Sequence, residues 1–298
     1  MIFDRSIDRK PNMFRDRCQC DIRQACNRQN EKGVPVSEEN SSSVRWSVEG
    51  RLGRITIGAQ GGLSTEDTEF GRCMSAAVRA LSDDRAVRAV VLRSAGRVFC
   101  AGLDLEQVPG LADARTAQRL LRELNAGFAD LAELPKPVVA AVDGAAFGGG
   151  ANLARACDFI VASEKATFCE AFVRIGLASD VGSLYTLVRR VGHQRARELL
   201  MTGRVVGAEE ALRIGAVDEV VASDRLEQRA DELAGSLADG PPLAMAAIKA
   251  GLARSGGMGL RESLALEMDL QATQFASQDF HGAVAAFREK RPFEFDGR

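Results

Sequence analysis

Apolar and polar positions alternate through residues 44–50 (VRWSVEG) and 51–59 (RLGRITIGA), which meet at Glu49-Gly50. A period of two broken by a glycine predicts a β-hairpin, with order beginning at Ser43. The next stretch, Leu63-Ser64-Thr65-Glu66-Asp67, reads as a helix start with Thr65 as the cap. Apolar residues then recur at helical spacing: Phe70, Met74, Ala77, Val78 and Leu81. Residues 87–92 (VRAVVL) predict a buried strand, followed by a loop over 93–105 and a helix over about 113–134. Pro135 and Pro137 bracket the return into a second apolar run, PVVAAVDGAAFGGGANLA at 137–154. Its Val/Ala-rich first half suits a strand buried on both faces. Three consecutive glycines, Gly148, Gly149 and Gly150, separate that strand from a helical pattern at Leu153, Ala154, Ala156 and Cys157.

Beyond it, residues 157–162 (CDFIVA) predict another buried strand and 167–169 a short one, with a loop over 170–180. A helix through Leu184, Leu187 and Val188 ends at Gly192, helices cover 195–201 and 208–214, and VDEVV at 217–221 is a short strand. From Asp224 onward the pattern is helical, interrupted at Pro241-Pro242 and Gly256-Gly257. Strands that alternate with helices imply an α/β fold with right-handed parallel crossovers. The expected organisation is a polar, aperiodic and disordered tail over 1–43, an α/β core over 44–225 and a helical region over 226–298. No internal repeat is visible.

The glycine run gives this pattern its first chemistry. Glycines there permit backbone angles and close approaches that a Cβ would block. They leave unpaired N–H groups at the positive end of a helix, where an anion, or an oxygen that turns anionic during a reaction, can be held. A tight turn packed against a helix explains the same residues equally well.

Composition narrows the classes of function. The 298 residues are 46% hydrophobic and 27% charged, ordinary for a globular protein of one or two domains. A net charge of -2 gives no basic excess for nucleic acid or an anionic membrane. With Trp46 and Tyr185 as the sole Trp and Tyr, a base-stacking platform is not expected. Seven cysteines make an odd number, so no disulfide framework is expected. Cys18, Cys20 and Cys26 lack a nearby histidine or fourth ligand, and no metal site is expected there. His193 and His281 lie far apart, read as helix-surface residues and give no support to a Ser/His/Asp triad. No apolar run approaches the ~20 residues of a membrane span, and the N-terminus lacks a signal-peptide core. The expected compartment is the cytoplasm.

At this point the residues carry a resemblance. FCAGLDL at 99–105 resembles the FxAGxD segment of the crotonase (enoyl-CoA hydratase/isomerase) superfamily. KPVVAAVDGAAFGGGANLARACDFIVASEKATF at 136–168 is similar to its second signature. GLASDVGSLYTLVRRVG, TGRVVGAEEALRIGAVDEVV and FREKRPFEF follow in family order, so the likeness spans about residues 44–296. The arginine or proline and the asparagine usual before the first helix are missing; Gly61-Gly62-Leu63 stands there. The resemblance implies an α/β crotonase-like spiral of ββα repeats with a C-terminal helical trimerisation region, assembled as a homotrimer or a hexamer. It implies an acyl-CoA substrate whose CoA is part of the substrate, with no separate cofactor and no nucleic-acid or membrane partner. By position, the backbone N–H groups of Leu103 and Gly149 form an oxyanion hole for the thioester. Ala101, Leu103, Asp104, Leu105, Gly149, Phe287 and Lys290 match acyl-CoA-binding positions, Lys290 offering charge to a phosphate. Asp104 reads equally as the N-cap of a helical turn.

The acid/base residues of family hydratases are absent. Where two glutamates would stand, this chain has Asn152 and Phe172. Hydration needs one group to activate water and another to manage the α-carbon proton, and neither side chain can do so. One carboxylate remains, Asp180, in a stretch similar to that of phenylacetate-pathway isomerases, which keep the aspartate as single acid/base. Dienoyl-CoA isomerases and 4-chlorobenzoyl-CoA dehalogenases also carry an aspartate there. The former have two further acids that this chain lacks, and the latter use a histidine where Asn125 stands here. The preferred expectation is an allylic double-bond shift with Asp180 as base and then acid in a pocket shared with Phe172. Alternatives are enoyl-CoA hydration and a non-catalytic CoA- or RNA-binding role. Asp180 also reads as the cap of a helix beginning at Val181, and Glu170 as a solvated loop charge.

Overall fold

The computed structural model describes residues 43–62, 64–66, 69–104 and 113–298. The expected tail therefore lies outside the described residues but for Ser43, as does Leu105. Strands β1 (Val44–Glu49) and β2 (Leu52–Ile57) form the hairpin expected from their alternation, paired antiparallel through a turn in which Gly50 takes a φ of 59°. Helix α1 (Phe70–Asp83) buries Phe70, Met74, Ala77, Val78 and Leu81, the residues that carry its 3.6-residue period. Then come β3 (Ala89–Ser94), α2 (Ala114–Glu133), β4 (Val138–Val142), β5 (Ala145–Phe147), α3 (Gly149–Ala156), β6 (Phe159–Ser163) and β7 (Thr167–Cys169). Asp113 caps α2 by accepting the Thr116 N–H. The second half has α4 (Ser183–Thr202), β8 (Val205–Gly207), α5 (Ala208–Arg213), β9 (Glu219–Val221), α6 (Leu226–Ala238), α7 (Pro242–Ser255), α8 (Leu260–Phe275) and α9 (Gln278–Arg288). Gly192, at φ 74° and ψ 164°, breaks α4 where the sequence placed an end.

The strands form two sheets. One has the order β1-β2-β3-β4-β6-β9, parallel from β2 onward; the other has the order β5-β7-β8. β4 is buried along its whole length, as its unbroken apolar run requires. After Val142 the chain crosses at Asp143-Gly144 from the large sheet into β5 of the small one. Other passes of the chain do the same. Cys100 pairs with Ala146 beside β5, and Glu66 pairs with Leu103 beyond that. The small sheet is thereby extended by two short segments, which carry the site.

The expected start of α1 is corrected here. Residues 64–66 are extended backbone paired with residues 101–104: Ala101 N–H donates to the Ser64 carbonyl, Glu66 N–H to that of Gly102, and Asp104 N–H to that of Glu66. Thr65 is no cap; α1 starts at Phe70 behind Glu69. The five residues of LSTED are too few to show a period, and the strand partner is nearly forty residues away.

Candidate functional site

The site forms where residues 99–104 run between residues 64–66 and β5. Cys100 directs its N–H and C=O to Ala145 and Phe147 on one side, at 3.1 and 2.9 Å. Gly102 and Asp104 bond Glu66 on the other side, at 2.9 and 3.1 Å. The alternation of a strand turns the Leu103 N–H away from Glu66 and toward the Gly148–Gly149 turn. Gly102 has a φ of 83°, and a Cβ there would stand 2.8 Å from the Phe147 carbonyl and 3.3 Å from the Gly149 nitrogen. Only glycine permits that approach. Gly149 opens α3, so its N–H has no partner within the helix. The amides of Leu103 and Gly149 are thus neighbours, both without a backbone acceptor among the described residues. They are the two amides that the resemblance names, and two free N–H groups are what a developing oxyanion needs.

Asp180 stands in the loop before α4, half-buried. It is not the helix cap that the sequence allowed. α4 begins at Ser183, its cap position is Gly182, and no side chain caps it. Burial is the main influence on the Asp180 carboxyl and the charge of Glu170 the second; a hydrogen bond from its own backbone N–H opposes both. The net effect raises its pKa to about 6, so desolvation outweighs the stabilising N–H. Val181, the next residue, has a φ of 44° while 5% exposed. A β-branched residue in the left-handed region is strained by about 1–3 kcal/mol, and such strain gathers at functional loops.

Asn152 holds that loop from below. Its Nδ2 donates to the Asp180 carbonyl at 2.9 Å. Its Oδ1 accepts from Arg155, which also pairs with Glu170. Arg155 and Glu170 are 6% and 4% exposed, so Glu170 is a buried ion-pair member and not the solvated loop charge expected of it. Two residues of α3 and two from separate loops could not be joined from sequence, although Asn152 and Arg155 lie three apart on α3 and so share a face. The Phe172 ring is buried and reaches to 3.6 Å from where a Gly148 Cβ would be, closing the glycine turn.

One group was missed entirely. Glu66, read as part of a helix start, is 3% exposed, and its carboxyl lies on Gly149: a Cβ on that glycine would meet Oε2 at 2.0 Å. Burial, followed by the charge of Asp180, raises the Glu66 pKa to about 8. Asp180 ionises first, so its charge acts on Glu66 while Glu66 is still neutral when Asp180 titrates. No spacing rule would have singled Glu66 out; an acid at the edge of an apolar pattern reads as surface until the partner strand is known.

The structure thus gathers Ala101, Leu103, Asp104, Gly149, Asn152, Phe172 and Asp180 into one region. Phe287 and Lys290 lie elsewhere, exposed at the end of α9 and just beyond it. His193 and His281 are exposed. Among the described residues there is no cluster of metal-ligating side chains and no helix long and apolar enough to cross a membrane.

Residues 66–298 match the family model described as Enoyl-CoA hydratase/isomerase. The chain belongs to that family. Within it, the chain is 38% identical over 252 residues to a Rhizobium meliloti (strain 1021) protein named "Probable enoyl-CoA hydratase", covering 84% of this chain and 96% of that one. It is 40% identical over 219 residues to a Streptococcus mutans protein named trans-2-decenoyl-[acyl-carrier-protein] isomerase, covering 72% and 83%. A crystal structure of an enoyl-CoA hydratase from Polaromonas sp. JS666 superposes with a TM-score of 0.80 at 30% identity, covering 85% of this chain and all of that one. The crotonase spiral expected from the signatures is the fold of this family member.

Proposed function

We propose that this enzyme shifts the double bond of an unsaturated acyl-CoA. The thioester oxygen accepts from the Leu103 and Gly149 amides. Asp180 takes a proton from one carbon, the electrons pass into a dienolate ended by that oxygen, and Asp180 returns the proton two carbons away. Each preorganised amide contributes about 2.7–4 kcal/mol to holding the charge. The observation that carries this reading is the state of Asp180: half-buried, engaged as no helix cap, with a pKa of about 6 that makes it an ionised yet usefully basic group near neutrality. The two positions where a hydratase would have glutamates speak in the same direction. Asn152 is committed to the Asp180 carbonyl and Arg155, and Phe172 to packing.

Hydration is the second reading. It is favoured by the name of the Rhizobium relative and by a second buried carboxyl, Glu66, at the site. Supplying 3-enoyl-CoA and 2-enoyl-CoA in turn separates the two. Interconversion of the two without a 3-hydroxyacyl product is expected; a hydroxylated product from 2-enoyl-CoA would replace the isomerase reading by the hydratase one. Binding without turnover of either would leave the non-catalytic reading.

For the CoA portion we propose Ala101, Asp104 and Leu105 near the thioester, with Phe287 and Lys290 of the same or a neighbouring subunit at the nucleotide end. A homotrimer or hexamer is supported by the apolar side chains that α7 and α8 leave exposed, among them Ile248, Leu252, Leu260, Leu264 and Met268. A mass of three or six chains by light scattering is the expected result; a monomer would contradict it.

A further inference from the structure

The carboxyl of Glu66 has no part in the single-carboxyl mechanism, yet it occupies the centre of the site. It is buried to 3% exposure on a short extended segment, and burial is the main influence on its ionisation. Burying a carboxyl is costly, and an apolar residue would fill the position at no such cost. Two contacts place it. Its oxygens lie over the Cα of Gly149, whose N–H is one oxyanion donor. Among the described residues it is also the sole polar one lining a small cavity of about 10 Å³, otherwise walled by glycines and apolar side chains, among them Met74, Phe128, Leu153 and Val181. Val181 directly follows Asp180, whose charge acts on the Glu66 carboxyl.

We propose that Glu66 is a second catalytic residue of this site, giving a proton to one end of the substrate's allyl unit while Asp180 removes one from the other. This rests on the isomerase reading above and changes its proton bookkeeping. The Asp180 carboxylate breaks a C–H bond and becomes a carboxylic acid. The dienolate forms on the thioester oxygen. The Glu66 O–H bond then breaks as the new C–H bond forms, which leaves Glu66 ionised. Both acids return to their starting states by exchanging protons with water once product leaves, and no oxidant or further reactant is needed.

The protonation states fit that division of labour. With Asp180 at about 6 and Glu66 at about 8, the resting site at neutral pH holds one carboxylate and one carboxylic acid. The titratable groups that face Glu66 are Asp180, from the loop before α4, and the buried Cys100 thiol, itself pushed up by burial and by Glu66. Behind Asp180 stand Glu170 and its partner Arg155.

The test is turnover of 3-enoyl-CoA to 2-enoyl-CoA by the wild type, Glu66→Gln and Asp180→Asn, in water and in deuterium oxide, from pH 5 to 9.5. Wild-type product is expected to carry solvent deuterium. Glu66→Gln is expected to lose about 100-fold in kcat with little change in KM, the size typical of a missing general acid. In the wild type the rate should fall above about pH 8, and that alkaline limb should vanish from the residual activity of Glu66→Gln. A Glu66→Gln enzyme within threefold of wild type, with the same pH profile, overturns the proposal. So does wild-type product that retains the substrate's own proton. If Glu66→Gln does not fold, the wild-type profile decides: a limb near pH 8 together with solvent label supports the proposal, and a flat profile to pH 9.5 overturns it. A wild type that does not isomerise defeats the isomerase reading, and this proposal with it; an isomerising wild type beside an indifferent Glu66→Gln defeats the role of Glu66 alone.

Discussion

Asp180 and Glu66 are both carboxyls moved upward by burial, yet they titrate apart because one is half-open and the other closed. For Asp180 the sequence exposed the opposing influences, desolvation against N–H groups before a helix, without deciding between them. The structure decides for desolvation because α4 starts three residues later and presents no cap site to the carboxyl. Asp180→Asn is expected to cut kcat for isomerisation about 100-fold or more with the fold intact, since the loop is tied through the main-chain carbonyl and not the side chain. Circular dichroism and initial rates check both halves of that statement. Ionisation of Asp180 is required, so activity should fall as pH drops below about 6. At Gly149 the requirement is space. Gly149→Ala drives a methyl into the Glu66 carboxyl and is expected to destabilise the protein and abolish activity. In a Glu66→Ala background the same change should be far better tolerated, a coupling that thermal melts of the four proteins would read as a double-mutant cycle.

At the scale of elements, the site is the product of a spiral whose turns each lend a strand to two sheets. The long buried strands and helices were legible because hydrophobic period and glycine position report them locally. α1 buries the five predicted apolar residues, β7 keeps its predicted bounds and α4 breaks at Gly192. What was not legible lies in pairings between distant short segments. Residues 64–66 became a strand because residues 101–104 offer the matching carbonyls and amides. Glu170 became buried because Arg155, on α3, reaches it. That pair has a measurable consequence for the reaction. Glu170→Gln removes the negative charge that raises the Asp180 pKa, so the acid limb of the rate profile is expected to move to lower pH, with kcat near neutrality little changed. Arg155→Ala, by contrast, leaves Glu170 buried without its partner and is expected to cost about 3–5 kcal/mol of stability in chemical denaturation.

For the whole molecule, the burial that keeps Glu66 protonated near neutrality weakens the fold at higher pH. A carboxyl whose pKa is raised on folding leaves stability complete below its ordinary value of 4.5 and erodes it as pH climbs toward about 8. For Glu66 that erosion amounts to about 3 kcal/mol at pH 7. Glu66→Gln should accordingly melt several degrees above the wild type at pH 8 and match it below pH 4.5. Membership of the family and its α/β fold were readable in the signatures, because glycines and short fixed spacings encode them. Asp180 was legible as a candidate acid because it sits in a signature, and Glu66 was not because it lies outside one. All of this depends on one chemical act, removal of a proton beside a thioester whose oxygen the Leu103 and Gly149 amides hold. Proton NMR of a saturated acyl-CoA in deuterium oxide reads that act without any double-bond shift or hydration. The expected result is loss of the α-proton signal with wild-type enzyme and its persistence with Asp180→Asn; no exchange with the wild type, or equal exchange with both, would contradict the account.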